Sequence, residues 1–190
     1  MPGVAEALSI DMAHLRLRPA RAGDSEALFP LFDNWNVVRW LSAPPWPYHF
    51  GDMESFLRNP PTAWDAKPEI CLAIEFEGEA VGMISWRLRK ESHLQREDGP
   101  NIGYWLGEPF WSRGIMSEAV AGLCRFLFER DQATAIYSGV FEGNEASLRV
   151  QEKLGFVRDG VTTLFSNPQR VDLPHINTML SRERFETLNR

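Results

Sequence analysis

Apolar and charged residues alternate from His14 to Arg18, as in a strand with one face buried. Pro19 to Asp24 then forms a turn into a helix over roughly Ser25 to Asn34. A short helix is predicted from Asn36 to Leu41 and is stopped by Ser42-Ala43-Pro44-Pro45-Trp46-Pro47. A third covers Met53 to Asn59 with Asp52 as its N-cap. Glu69 to Glu75 and Ala80 to Arg89 read as strands of a hairpin joined by Phe76-Glu77-Gly78-Glu79. Lys90 to Gly99 is polar and reads as a loop before a strand from Asn101 to Gly107. From Ile115 to Arg130, Met116, Ala119, Val120, Leu123, Phe126 and Leu127 recur at helical spacing and make one buried stripe. A strand from Ala133 to Phe141, a helix from Asn144 to Leu154 closed by Gly155, and a strand from Phe156 to Phe165 follow. Asn167-Pro168-Gln169 turns into a last strand from about Arg170 to Leu180.

Strands grouped before and after alternating helices predict a mixed α/β (α+β) sheet in which only the middle crossover is parallel. The 190 residues, 44% apolar and 24% charged, suit one domain spanning 1–190, with Met1 to about residue 13 as a flexible extension. A net charge of −6 argues against nucleic-acid binding through a basic surface and suits a cationic amine partner. Cys71 in a strand-like run and Cys124 on the apolar side of a helix read as buried thiols of a reducing compartment. The first residues lack a charged leader and a long apolar run, and no segment approaches about eighteen apolar residues, so a cytoplasmic protein that does not enter a membrane is expected. His14, His49, His93 and His175 lack metal-ligand spacing, so no metal is expected. Most of the seven tryptophans are expected to serve packing.

The chemistry is concentrated in two stretches. Glu108-Pro109-Phe110-Trp111-Ser112-Arg113-Gly114-Ile115-Met116-Ser117-Glu118-Ala119 joins an apolar strand to an amphipathic helix. Its Arg-Gly turn presents free backbone N–H groups at a positive helix end, which makes an anion site. Farther on, Asn144 and Ser147 stand about one turn apart at the start of another helix and precede Lys153-Leu154-Gly155-Phe156. Together with Leu15-Arg16-Leu17-Arg18-Pro19-Ala20, Pro44-Pro45-Trp46-Pro47-Tyr48 and Ile102-Gly103-Tyr104-Trp105-Leu106-Gly107, these motifs resemble the GNAT acetyltransferases over nearly the whole chain. The similarity is greatest to the branch containing the ribosomal-protein N-terminal acetyltransferases.

The resemblance implies a mostly antiparallel sheet splayed at a central parallel pair, with acetyl-CoA as cosubstrate. It assigns Trp111, Ser112, Arg113, Gly114, Ile115 and Met116 to the pyrophosphate, and the main chain of Trp105, Leu106 and Gly107 to the thioester end. A backbone N–H there would stabilise the oxyanion formed on amine attack. Asn144 would bond the pantetheine arm, and Ser147 would serve the leaving thiolate, because Gln151 stands where many relatives carry tyrosine. Trp46, Tyr48, Trp86 and Asn101 are candidates for the acceptor cleft.

Relatives often have Gln or Arg at the position of Trp111, and Gly or Ala at that of Met116. Asn101 replaces a carboxylate that many relatives use as base, so Glu97, Asp98, Asp172 and His175 are candidate substitutes. An α-amine, with pKa roughly 7.7–8.0, needs less help to become neutral than a lysine near 10.4, which favours a protein or peptide N-terminus as acceptor. A small amine such as an aminoglycoside, polyamine or amino-acid derivative, and a CoA-binding module without turnover, remain as alternatives. The exposed strand edges allow a monomer or a homodimer.

Overall fold

The computed structural model describes residues 8–58, 69–87, 99–131 and 133–188. In chain order these form β1 (Ile10–Asp11), β2 (Leu15–Pro19), α1 (Ser25–Phe32), α2 (Trp35–Val38), α3 (Phe50–Arg58), β3 (Glu69–Phe76), β4 (Glu79–Arg87) and β5 (Asn101–Leu106). Then follow α4 (Ile115–Asp131), β6 (Ala135–Phe141), α5 (Glu145–Lys153), β7 (Val157–Ser166), β8 (Val171–Ser181) and α6 (Arg182–Leu188). One sheet of order β1-β2-β3-β4-β5-β6-β8-β7 contains them, and only β5 and β6 run parallel.

The elements follow the apolar periodicity, with three differences. Ile10 and Asp11 pair with Leu17 and Arg16, so this part of the expected extension belongs to the sheet. Asp52 is not an N-cap. It lies in the first turn of α3, and its carboxylate reaches back to the N–H of His49 at 2.9 Å, so the helix starts earlier. After β8 the chain adds α6, whose Phe185 packs in the core against Phe128. Most of the loop expected over Lys90 to Gly99 lies outside the described residues.

Alternation along each strand divides the core between the two faces of the sheet. On one face α4 covers Leu17, Leu72, Ile74, Ile84 and Ile136, with Leu123 and Leu127 of the helix fully buried among them. On the other, Leu28, Phe32, Val38, Met53 and Leu57 of α1 to α3 and the segments between them pack on Ala73, Met83 and Trp105. This second face carries Asn101 and Gly103 as well, because they alternate with Ile102 and Tyr104.

β5 is paired with β4 along its length, from Asn101 opposite Arg87 to Leu106 opposite Gly82. β6 is likewise paired with β8 from Ala135 to Phe141. Between β5 and β6 the register contains one pair, Asn101 with Tyr137. Beyond it the two parallel strands part, and a wedge opens toward their C-terminal ends.

Near the start of the chain one buried ion cluster fixes how α1 leaves β2. The Arg18 guanidinium donates through Nη1 and Nη2 to the two carboxylate oxygens of Asp24, both at 2.8 Å, and through Nε to Glu75. Asp24 also accepts the N–H of Arg21. Burial opposes the charge on Asp24, but these donors outweigh it and hold the carboxyl below its ordinary value. Because the folded-state value is depressed, this stabilisation is complete above about pH 4 and disappears as pH falls through the folded-state value. Asp24→Ala leaves Arg18 without its bidentate partner and is expected to cost about 3–5 kcal/mol in urea denaturation at pH 7. The difference between variant and wild type should shrink in acid.

Candidate active site

The wedge between β5 and β6 turns main-chain groups toward empty space. On β5, residues 101, 103 and 105 face their hydrogen-bonded partners on β4, and the N–H of Gly107 donates to Val81 at 2.9 Å. Tyr104 and Leu106 therefore direct N–H and C=O toward β6. The Leu106 carbonyl accepts the indole N–H of Trp111 at 2.8 Å. Across the gap Gly139 of β6 has the matching orientation, two residues beyond the Tyr137 N–H that still bonds Pro100. A strand-like chain carrying amides can thus add to either edge. The sequence names Trp105, Leu106 and Gly107 for this role; register points the main chain of Leu106 and Tyr104 into the gap and that of Trp105 and Gly107 toward β4.

Side chains close the wedge at its base on the α4 and α5 face. Ser138 Oγ donates to the Ile102 carbonyl at 3.1 Å, across the point where the strands separate. Gln151 of α5 is 1% exposed and donates from Nε2 to Ser138 Oγ (3.0 Å) and to the Tyr104 hydroxyl (3.1 Å), while its Oε1 accepts from Thr178 (2.7 Å). Ser147 Oγ donates to the same Tyr104 oxygen at 2.9 Å. Burial pushes the Tyr104 phenol up to about 12 against the two hydrogen bonds, so it stays neutral near physiological pH. Gln151 occupies the centre of this network, and the phenol beside Ser147 comes from β5. Sequence reading missed Tyr104; its alternation with Gly103 and Trp105 is the signal that places it on the α5 side.

At the open end of the wedge, Ser112 and Gly114 have left-handed backbone, with φ of 60° and 79°. The first N–H groups of α4 are left pointing out of the helix until Glu118, whose N–H bonds the Gly114 carbonyl. Successive N–H groups at a positive helix end can hold a diphosphate. Arg113 is exposed, and its guanidinium lies 4.8 Å from the Phe76 ring and 5.8 Å from that of Phe110. Ile115 and Met116 bury their side chains in the core, so only their main chain faces outward. Asn144 caps α5, its Oδ1 accepting the Ser147 N–H at 3.2 Å, which leaves Nδ2 as a donor.

Residues 14–157 match the family described as "Acetyltransferase (GNAT) domain". The chain belongs to the GNAT acetyltransferases. The N-acetyltransferase YoaA of Bacillus subtilis (strain 168), itself uncharacterised, is 28% identical over 160 residues, which cover 80% of this chain and 84% of YoaA. Among solved structures, RimL, a ribosomal L7/L12 α-N-protein acetyltransferase, shares the fold with a TM-score of 0.70 at 19% identity, over 92% of this chain and 94% of RimL. MccE, solved with acetyl-CoA and AMP, shares it with a TM-score of 0.73 at 19% identity, over 90% and 93% of the two chains.

On the opposite face of this GNAT sheet lie most of the acceptor candidates. Tyr48 and Trp105 both meet Phe32 edge-on, at 4.6 and 4.8 Å between ring centroids, and Trp46 tilts against Trp35 at 5.3 Å. Trp86 does not join them: it points to the α4 face, is 4% exposed and packs on Phe126. Asn34 and Asn36 donate to the Glu108 carboxylate just after β5, which holds it below its ordinary value. Trp40 lies over Gly143, just after β6. The tip of the β7–β8 hairpin completes the rim, with Asn167 bonding the Ser42 and Ala43 carbonyls and Gln169 the Arg39 carbonyl. The segment from Asn34 to Ala43 thus crosses the open end of the wedge on the acceptor side.

The candidate bases separate by position. Glu97 and Asp98 lie outside the described residues. Asp172 is exposed and alternates onto the α5 face with Ile176 and Thr178, away from the acceptor side. Glu69 is a carboxylate on the acceptor face, but it is two strands away from β5, where it accepts from Ser85 and pairs with Arg87. His175 is on the acceptor face, paired with Phe141 and Thr162. Burial pushes the Cys71 thiol up to about 12 and raises Cys124 as well, which makes both poor nucleophiles. Among the described residues no group of three or more His, Cys, Asp or Glu could hold a metal ion, and no helix is long and apolar enough to cross a membrane.

Gln151→Leu removes every polar group of this side chain at nearly constant volume and leaves Ser138, Tyr104 and Thr178 short of partners. It is expected to cost about 1–3 kcal/mol in urea denaturation with an unchanged slope.

Proposed function

We propose that this chain transfers the acetyl group of acetyl-CoA to a primary amine by direct attack, and that the acceptor is the α-amino group of a protein or peptide N-terminus. The wedge carries this reading. Its main-chain groups from Tyr104, Leu106 and Gly139 match an amide-bearing arm, and the turn over Ser112 to Gly114 at the start of α4 suits a diphosphate, so these parts fit CoA in the correct order along one line. Acetyl-CoA supplies an activated acyl group whose carbonyl oxygen gains negative charge on attack. The N–H groups of Tyr104 and Leu106 are available to oppose that charge. Ser147, whose hydroxyl rests on the Tyr104 oxygen, turns that one O–H to donate to the departing sulfur. That sulfur, as a thiolate of pKa about 8.5, needs a hydrogen bond more than a proton.

For the acceptor, three observations support an α-amine. Asn101 offers no carboxylate on the acceptor face beside the wedge, which favours an amine of low pKa. The segment Asn34–Ala43, tied to the β7–β8 tip, crosses the face and favours an end-on approach, which a chain terminus satisfies. RimL, which shares this fold, acts on a protein α-amine by its name.

The test is thiol release from acetyl-CoA with short peptides of varied N-termini and, separately, with assorted small amines. Saturable release with peptides is the expected result. Release with small amines only would replace the acceptor while leaving acetyl transfer intact. Gly114→Glu places a negative side chain at a left-handed position in the anion site. It is expected to weaken acetyl-CoA binding by at least about tenfold in calorimetry.

A further inference from the structure

Gly139 stands on the β6 edge of the wedge, just beyond the last pairing with β5, and one side chain fills the space above it on the acceptor face. A Cβ built on Gly139 would fall 2.1 Å from Cε1 of His175 and 2.9 Å from each of its ring nitrogens. The Cε1 corner of the imidazole therefore sits against the strand at the point where β5 and β6 have parted, and only glycine leaves it room. Phe141 meets the ring edge-on at 5.5 Å. Nδ1 is 3.1 Å from Oδ1 of Asn177, an oxygen that also accepts from Thr162 Oγ1 at 3.3 Å. Asn177 is 1% exposed and cannot turn away to solvent. An amide oxygen has no proton to give, so the shared atom at this contact is the Nδ1 hydrogen. The other nitrogen, Nε2, keeps its lone pair.

We propose that His175 is the general base of this enzyme, accepting through Nε2 the proton of the attacking amine, with Asn177 and Thr162 as the residues that fix its tautomer. The assignment rests on the acetyltransferase reading above. The amine lone pair forms the new C–N bond to the thioester carbon, the C–S bond breaks with its electrons on sulfur, and the proton released from nitrogen moves to Nε2. Histidine at this place on β8 answers the absence of a carboxylate at Asn101. It serves from the β6 side of the gap, whereas a carboxylate at residue 101 would serve from β5.

The surroundings suit a neutral imidazole. Burial lowers the affinity of His175 for a proton below that of a free histidine, and the Asn177 contact partly restores it. Its packed neighbours, Gly139, Phe141, Thr162 and Asn177, carry no charge. The charged side chains on the adjoining elements are Glu142, Arg158, Asp159 and Asp172 on the strands and turn, and Arg39 on the segment across the face. The ring is thus uncharged at neutral pH and gains charge only as the solution becomes acidic.

Steady-state acetylation of the best peptide, followed as thiol release from pH 5 to 9, tests this with three variants. His175→Gln keeps bulk and polarity, and it is expected to lower kcat/KM by about 100-fold at pH 7 while acetyl-CoA affinity by calorimetry is unchanged. Asn177→Asp sets a carboxylate against Nδ1 and is expected to move the acid limb of the profile up by about one pH unit, which a merely structural side chain would not do. Asp172→Asn is expected to match wild type. An active wild type with His175→Gln within about twofold of it, or with an Asn177→Asp profile that superimposes, overturns the histidine and leaves acetyl transfer standing. A wild type that releases no thiol with either amine panel overturns both.

Discussion

The structure depends on keeping two neighbouring parallel strands apart without losing the sheet. β5 and β6 pair once, at Asn101 and Tyr137, and beyond that point the main-chain groups of Tyr104, Leu106 and Gly139 turn toward the gap with no strand opposite. Such an edge inside a sheet is costly unless its polar groups are satisfied or wet. Ser138, Gln151, Thr178 and Tyr104 replace the missing ladder by side-chain bonds that link β5, β6, β8 and α5. The same buried network that stabilises the gap also positions Ser147 beside it, so the fold and the candidate site share one set of atoms.

Each face of the sheet then takes one side of the chemistry. The α4 and α5 face holds the candidate anion site and Ser147. The opposite face holds Trp105, Asn101 and His175, bounded by the segment Asn34–Ala43. A group reaching the gap from the second face meets the groups of the first only through the opening between β5 and β6, which confines reaction to that opening. Aromatic packing of Phe32 with Tyr48 and Trp105 makes the second face stiff, and its hydrogen bonds to Glu108 and to the β7–β8 tip set its distance from the wedge.

Much of this was legible in residue order. The stripe from Met116 to Leu127 located α4, and the Arg-Gly turn located its exposed N–H groups, because both depend on local spacing. Strand phase was harder to read. Trp86 and Asp172 looked like cleft residues by type, yet alternation turns each to the other face. The same alternation turns the main chain of Trp105 and Gly107 toward β4 and that of Tyr104 toward the gap, and phase of this kind is fixed only once the partner strand and its register are known. Gln151 read as a lost tyrosine because sequence does not show that a phenol from β5 reaches the same place. The short β1 and the terminal α6 were unreadable for a different reason: two residues have no period, and a polar seven-residue helix acquires its identity from Phe185 docking on Phe128.

Trp111 illustrates what a departure from the family pattern can contribute. Its indole closes the turn before α4 onto the Leu106 carbonyl, and Arg113 spreads over Phe76 and Phe110, so the candidate phosphate loop is braced by contacts internal to the chain. A loop already held in its bound shape loses little conformational entropy on association, and more of each phosphate hydrogen bond then appears as affinity. Here the Trp111 indole, tied to the Leu106 carbonyl, contributes to that preorganisation.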